Sequence, residues 1–348
     1  MARVYLDHNA TAPLRAEARD AMIAAMDAVG NPSSVHAEGR TAKGILEKAR
    51  AQVSAAFGAE GADIVFTSGA TEAAGLACMG RDLASARVEH DAVLSWTSGD
   101  LGVDAAGVVM LDDPRKSSVQ MANSETGVVQ VLPDGLAVSD MTQGFGKLPV
   151  AFNWSGADMA LISAHKLGGP KGIGALVLKR GLDVAAQIKG GGQEMGRRSG
   201  TENIIGIAGF GAAAAAAQRD LEAGVWDKIE KLRNILETAI ADRAKHTIFV
   251  GKDTKRLPNT SCILTPGWKG ETQVMQMDLA GFAISAGSAC SSGKVKASGV
   301  LMAMGLGEAA ASSAIRVSLG PETTEQEVLA FADAWLTGHD KFRARRAL

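Results

Sequence analysis

The stretch SAHKLGGPKGIGAL, residues 163–176, sets a histidine and a lysine side by side, His165 and Lys166, and follows them with glycines. Four apolar residues precede it, Met159, Ala160, Leu161 and Ile162. This pattern predicts a buried strand that runs out into a tight loop. An amine at the end of a buried strand is costly unless it is neutralised or bonded. Desolvation lowers its pKa and frees it for Schiff-base chemistry. For an isolated pair, a lysine that snorkels to solvent at a strand end is the favoured explanation, so the remainder of the chain has to change that balance.

Working outward, short β-like runs at 64–66, 108–111, 118–122, 159–163 and 175–178 alternate with helical stretches at 15–29, 37–57, 71–83 and one long helix from about 203 to 243. Such alternation predicts an α/β domain with a mostly parallel sheet. From about residue 246 the pattern changes. Strand-like runs at 248–250, 262–264, 283–285 and 315–319 are interleaved with helices near 270–280, 298–305 and 323–346, which predicts a smaller α+β domain. The expected division is 15–225 for the large domain, with 1–14 and 226–348 forming the small one.

The 348 residues suffice for a full core. With 46% hydrophobic and 21% charged residues and a net charge of −2, the chain has neither the basic footprint of a nucleic-acid binder nor a polybasic membrane patch. Cys78, Cys262 and Cys290 form no CxxC pair and no even framework, which points to reduced thiols and a cytoplasmic setting rather than zinc or disulfides. No signal-peptide pattern opens the sequence, and the alanine tract at 209–218 is too short to span a bilayer.

Several stretches carry chemistry. FTSGATEAAGLA (66–77) passes from strand to helix and offers hydroxyls and free N–H groups, either as an anion site or as a plain N-cap. It is not a Walker motif, and no GxGxxG opens a helix. AVSDMTQGFGKLPV (137–150) sets Asp140 at a strand end with Gln143 three residues on, and MANSETGVVQ (121–130) sets Asn123 at another. A buried Asp140 needs a cationic partner; a structural, loop-capping aspartate is the alternative. SAGSACSSGKVKASG (285–299) surrounds Cys290 with small polar residues, as suits a thiol that must reach a substrate, or an incidental surface thiol. Arg316 sits inside an apolar strand, suited to a bidentate grip on a carboxylate or to a structural ion pair.

Taken together, these stretches resemble the cysteine desulfurases of the nitrogen-fixation and iron–sulfur assembly type, a class V branch of the fold-type I pyridoxal-phosphate (PLP) enzymes. VYLDHNATAPL, GNPSSVHAEGRTAKGILEKAR, IVFTSGATE, VEHDAV, NSETGVVQ, DMTQGFGKLPV, ISAHKLGGPKGIGAL, GGGQEMGRRSGTEN, SAGSACSSG and SSAIRVSLG occur in the family's order from Val4 to about Glu322. The resemblance implies that Lys166 carries the cofactor as a Schiff base and moves protons. Ala70, Thr71, Ser163 and His165 would hold the phosphate, and Thr201 would reach it from the partner subunit of a homodimer. Asp140 would pair with the pyridine nitrogen, Gln143 with the ring oxygen, and His90 would stack on the ring. Asn123 would contact the ring oxygen or substrate, Arg316 would grip the carboxylate of L-cysteine, and Cys290 would take the sulfur as a persulfide. It implies no metal, and a sulfur-acceptor protein such as an iron–sulfur scaffold as partner. Another class V lyase or aminotransferase, or a weakly active PLP-fold partner protein that needs an accessory chain, are the rival readings.

The sequence departs from the family pattern in places. Met195 stands where the family has arginine, and Ser139 and Met141 flank Asp140. The spacers are short, with 32 residues (91–122) between His90 and Asn123 and 16 (124–139) between Asn123 and Asp140. Glycine-broken segments there predict lost covering helices. A sheet thinned in this way is expected to expose an apolar patch over 91–140, on which an accessory protein would dock.

Overall fold

The computed structural model describes residues 3–287 and 297–346. A short strand β1 (Val4–Tyr5) leads into helices α1 (Ala16–Met26) and α2 (Ala37–Ala56). Then follow β2 (Asp63–Thr67), α3 (Ala70–Cys78), a single turn α4 (Asp91–Leu94), β3 (Ser139–Asp140), β4 (Met159–Ser163) and β5 (Gly174–Leu178). Strands β4 and β5 are buried along their whole length, which explains why MALIS and GALVL are unbroken apolar runs rather than alternating ones.

The first sheet has the order β2-β5-β4-β3. β5 is antiparallel to both of its neighbours, whereas β3 and β4 are parallel. Parallel bridges Ser118↔Val138, Ala84↔Ser117 and Ala86↔Leu101 continue the sheet beyond β3. Every segment except β5 therefore runs the same way, and the sheet is mostly parallel as expected. Side chains alternate across it. Ile64 and Phe66 face the cluster built on α1, α2 and helix α5 (Ile204–Glu222), while Val65 faces the cluster that contains α3.

The alanine tract of α5 is a packing device. An ideal Cβ on Gly211 would lie 2.7 Å from the Cα of Ala49 in α2, and one on Gly209 would lie 2.7 Å from Met22 Cγ in α1. Because the obstacle at Gly211 includes backbone, the helices must separate to admit a methyl group. We expect Gly211→Ala to cost about 1–3 kcal/mol, read as a lower denaturation midpoint; an unchanged midpoint would show that α2 and α5 part freely.

The single helix expected from 203 to 243 is two helices. Gly224 adopts a left-handed φ of 68° and starts α6 (Val225–Arg243) in a new direction. Beyond it lie β6 (Ile248–Phe249), β7 (Thr260–Leu264), α7 (Gly270–Leu279), β8 (Phe282–Ala283), β9 (Ser285–Ala286), α8 (Gly299–Ala303), α9 (Glu308–Ala311), β10 (Ala314–Ser318) and α10 (Glu325–Arg346). The second sheet, β6-β7-β10-β9, is antiparallel throughout, and β1 pairs with β8. Its core includes Trp226, Leu236, Phe331 and Trp335. The N-terminal segment continues from β1 along β10 through the bridge Asp7↔Ser318, and so reaches the first sheet from the second.

The strand expected at 108–111 is absent. Gly107, at φ 86°, turns the chain into a small hairpin in which only Val103 and Val109 bridge. Residues 91–140 carry no regular helix longer than α4, so the covering helices are missing as expected. The cover is supplied in large part by the chain itself. Val109 and Val119 are buried in one cluster with Val300, Leu301 and Met304 of the α8 region, and Leu101, Val103 and Leu111 pack against it. What stays exposed is scattered: Trp96, Val108, Met110 and Val131. The apolar patch expected over 91–140 is thereby reduced to these four side chains.

Candidate active site

Strands β3 and β4 run in parallel register, Asp140 opposite Leu161, so their C-terminal ends deliver Asp140 and the Ser163–His165–Lys166 turn to one edge of the sheet. Such edges are where α/β sheets bind ligands. Lys166 does not snorkel away. Its Nζ donates to the main-chain carbonyls of Asn9 (2.8 Å) and Ala10 (2.9 Å). His165 Nδ1 lies 3.1 Å from Thr11 Oγ1. Burial, reinforced by Lys166, Lys171 and Lys147, pushes the His165 pKa down to about 4, so the imidazole is neutral at physiological pH.

Ala70 and Thr71 form the first turn of α3 after Gly69. An ideal Cβ on Gly174 would lie 2.8 Å from the backbone of Gly69, so the strand-to-helix turn sits directly on β5 and only glycine fits there. Glu72 Oε2 accepts from Ser68 N at 2.7 Å, and its other oxygen pairs with Arg198. Thr201 is exposed and lines a cavity of 220 Å³ shared with Thr67 and Ser68 of its own chain.

Asp140 Oδ1 accepts from Thr142 N at 2.9 Å. Buried Gln143 donates to Asn9 O (3.0 Å) and accepts from Lys147 Nζ (2.7 Å). His90, at the N-cap of α4, is exposed and accepts Ala92 N through Nδ1, which leaves the ring proton on Nε2. Asn123 is turned inward. Its Oδ1 accepts from Glu125 N, Thr126 N and Thr126 Oγ1, and its Nδ2 donates to Val88 O. Arg316, 4% exposed, donates to Asp7 Oδ1 (2.7 Å) and Ser124 O (3.2 Å). Cys290 lies outside the described residues; Gly287 and Ser298 flank its segment. Met195, the departure in GGGQEM, is exposed with a left-handed φ of 60°, while the neighbouring Glu194 is buried in a bidentate pair with Arg50.

Two of these residues, Lys166 and Gln143, meet at a hub, Asn9, to which no individual role attached in the sequence. The Asn9 carbonyl joins Lys166 to Gln143. Its side chain accepts from Lys147 and Asn259 and donates to Ser124 O and Thr260 Oγ1. Among the described residues no carboxylate pairs with buried Lys147. Its pKa is driven well below the usual value by burial, then by Lys166 and Arg316, and its Nζ donates to Asn9 Oδ1 and Gln143 Oε1. The pKa of Glu89, fully buried beside His90, is pushed well up by burial and by Asp140. The signal was present, since VYLDHNATAPL and GKLP lie inside the motifs, but burial of a lysine or glutamate does not show in spacing. Among the described residues no group of three or more His, Cys, Asp or Glu is placed to hold a metal ion.

The model of the class-V aminotransferases matches residues 4–97 and 97–331. The chain belongs to this family. A cysteine desulfurase of Cereibacter sphaeroides is 38% identical over 94% of this chain and 93% of its own length. The cysteine desulfurase IscS of Dictyoglomus turgidum is 34% identical over 93% and 91%. The solved structure of a NifS-like protein from Rickettsia africae superimposes with a TM-score of 0.87 at 33% identity, covering 97% of this chain and 99% of that one. A structure described as SspA in complex with cysteine superimposes with a TM-score of 0.74 at 27% identity, covering 92% and 100%.

Proposed function

We propose that this chain is a PLP-dependent cysteine desulfurase that converts L-cysteine to L-alanine and takes the sulfur onto Cys290. The observation that carries the reading is the delivery of Lys166 and Asp140 to one sheet edge by adjacent parallel strands, in a chain whose relatives bear that name. The donor set fits the cofactor: an amine held by two carbonyls, a carboxylate, an amide and an open helix N-terminus. The bound cofactor supplies an electron sink that stabilises negative charge developing on the substrate.

The chain's own residues do the rest. Lys166 anchors the cofactor and moves the substrate's α-proton. Ala70, Thr71, Ser163 and His165 hold the phosphate, and neutral His165 does so as a hydrogen-bond donor. Asp140 would keep the ring nitrogen protonated, Gln143 and Asn123 would contact the ring oxygen, and His90 would stack on the ring. Arg316 binds the substrate carboxylate. The Cys290 thiolate attacks the γ-sulfur of bound cysteine. An S–S bond forms, the Cβ–Sγ bond breaks, and L-cysteine with one thiolate yields L-alanine and one persulfide anion.

The active form in this reading is a homodimer, with Thr201 offered to the partner's phosphate site. The functional units are 15–225 and 1–14 with 226–348, and the setting is the cytoplasm. No helix among the described residues is long and apolar enough to cross a membrane. A sulfur-acceptor protein such as an iron–sulfur scaffold completes the reaction. The test is incubation of the PLP-loaded protein with L-cysteine and a thiol reductant. Equal amounts of alanine and sulfide are expected; release of pyruvate, or no reaction, overturns the reading.

A further inference from the structure

Lys147 is a buried amine that the reaction above leaves unused. It is 2% exposed, and the groups that bear on its charge, Lys166 and Arg316, both disfavour a further cation beside them. Burying an amine in such a place is unfavourable, and an apolar side chain of similar length would avoid the penalty. Its hydrogens therefore have a use. Nζ donates to Gln143 Oε1 at 2.7 Å and to Asn9 Oδ1 at 3.0 Å. Lys147 and Lys166 also line one cavity of 120 Å³.

The buried Gln143 amide is held from both ends. Its Nε2 donates to Asn9 O at 3.0 Å. That carbonyl can only accept, so it takes the amide nitrogen, while the lysine amine donates to the amide oxygen. The two contacts set the amide the same way round. An amide nitrogen carries two hydrogens, and among the described residues Asn9 O takes one of them. The other is left for an acceptor such as the cofactor's ring oxygen. Asn9 is itself fixed to the second sheet. Its Oδ1 also accepts from Asn259 Nδ2 (3.0 Å), its Nδ2 donates to Thr260 Oγ1 (2.8 Å) at the start of β7, and its N donates to Ser318 Oγ (3.0 Å) at the end of β10. Lys147 thus braces Gln143 against the segment that also holds Lys166 Nζ. We propose that Lys147 is a positioning residue that fixes the Gln143 amide with an N–H toward the cofactor's ring oxygen. The inference rests on Gln143 making that contact.

The experiment is a double-mutant cycle read as cofactor affinity. The full chain is freed of cofactor and titrated with pyridoxal phosphate, and the dissociation constant is taken from the lysine-bound absorption band. A hydrogen bond to a charged group corresponds to about tenfold to a hundredfold in affinity, so Gln143→Ala is expected to weaken binding within that range. Lys147→Met leaves the amide oxygen without its donor and frees Gln143 to turn away, and is expected to weaken binding about tenfold. The double variant is expected to bind within about threefold of Gln143→Ala, because residues acting through one contact are not additive. A merely structural lysine would multiply the two losses. Lys147→Arg, which still donates and has the adjoining 1040 Å³ cavity for its extra length, is expected to keep the affinity within about threefold of wild type. Wild-type affinity in Lys147→Met, or multiplied losses in the double variant, overturns the inference. Should Lys147→Met fail to fold, a folded Lys147→Arg that has lost tenfold or more in affinity overturns it instead. Wild-type affinity in Gln143→Ala removes Gln143 from the cofactor and overturns the reading beneath, so the two failures are told apart.

Discussion

Lys166→Ala is expected to abolish the visible absorption band of the lysine-bound cofactor and to lower turnover of L-cysteine by about 10³-fold or more. The wild-type amine is held by the Asn9 and Ala10 carbonyls, both on the segment that also receives Gln143. In the proposed reaction, alanine would remove the covalent anchor and the base together. The nearest other amine does not replace it, because Lys147 is already committed to Asn9 Oδ1 and Gln143 Oε1. The measurement is an absorption spectrum before and after borohydride, alongside an alanine assay. An unchanged band that resists borohydride in the wild type would remove Lys166 from the role.

Cys290→Ser is expected to keep the cofactor and the spectral response to L-cysteine, yet to form no protein persulfide. Neither remaining thiol substitutes. Cys78 and Cys262 are free but buried, and burial pushes both thiols up to about 12. At neutral pH the reactive thiolate is then roughly one molecule in 10⁴ or fewer. Mass spectrometry after a single turnover reads the outcome. Persulfide formed at the wild-type rate in Cys290→Ser would assign the sulfur elsewhere. The two substitutions stop different halves of one reaction, so their spectra separate them: the first has lost the cofactor band, and the second retains it.

Over residues 91–140 the covering helices are absent as expected, and much of the cover comes from far along the chain. The glycines at 99, 102 and 107 do prevent a long helix, and none forms. The inference from missing helices to an uncovered sheet failed to foresee α8, almost 200 residues later, packing Val300, Leu301 and Met304 into the same cluster as Val109 and Val119. A hydrophobic surface is covered by whatever the fold brings to it, and nothing in the local composition says what that is.

Other features were decided by local chemistry and were therefore legible. Unbroken apolar runs became the fully buried β4 and β5, because parallel-type sheets are covered on both faces. Lys166 and Asp140 stand at strand ends because the strands end where the apolar runs end. Gly224 looked like one residue of a long helix and proved to be the break, since its left-handed conformation follows from how α6 docks rather than from periodicity. The burial of Glu89 and of Lys147 and the hydrogen bond from Ser298 to Glu125 were likewise invisible in spacing. Each depends on burial by partners far along the chain: Asn9 meets Lys147 at a separation of 138 residues and Asn259 at 250, and Glu125 meets Ser298 at 173. Strand ends and apolar runs are set by neighbours in sequence. The charge state of a buried group is set by the solvent it has lost and the groups that replace it, and only the folded chain supplies those.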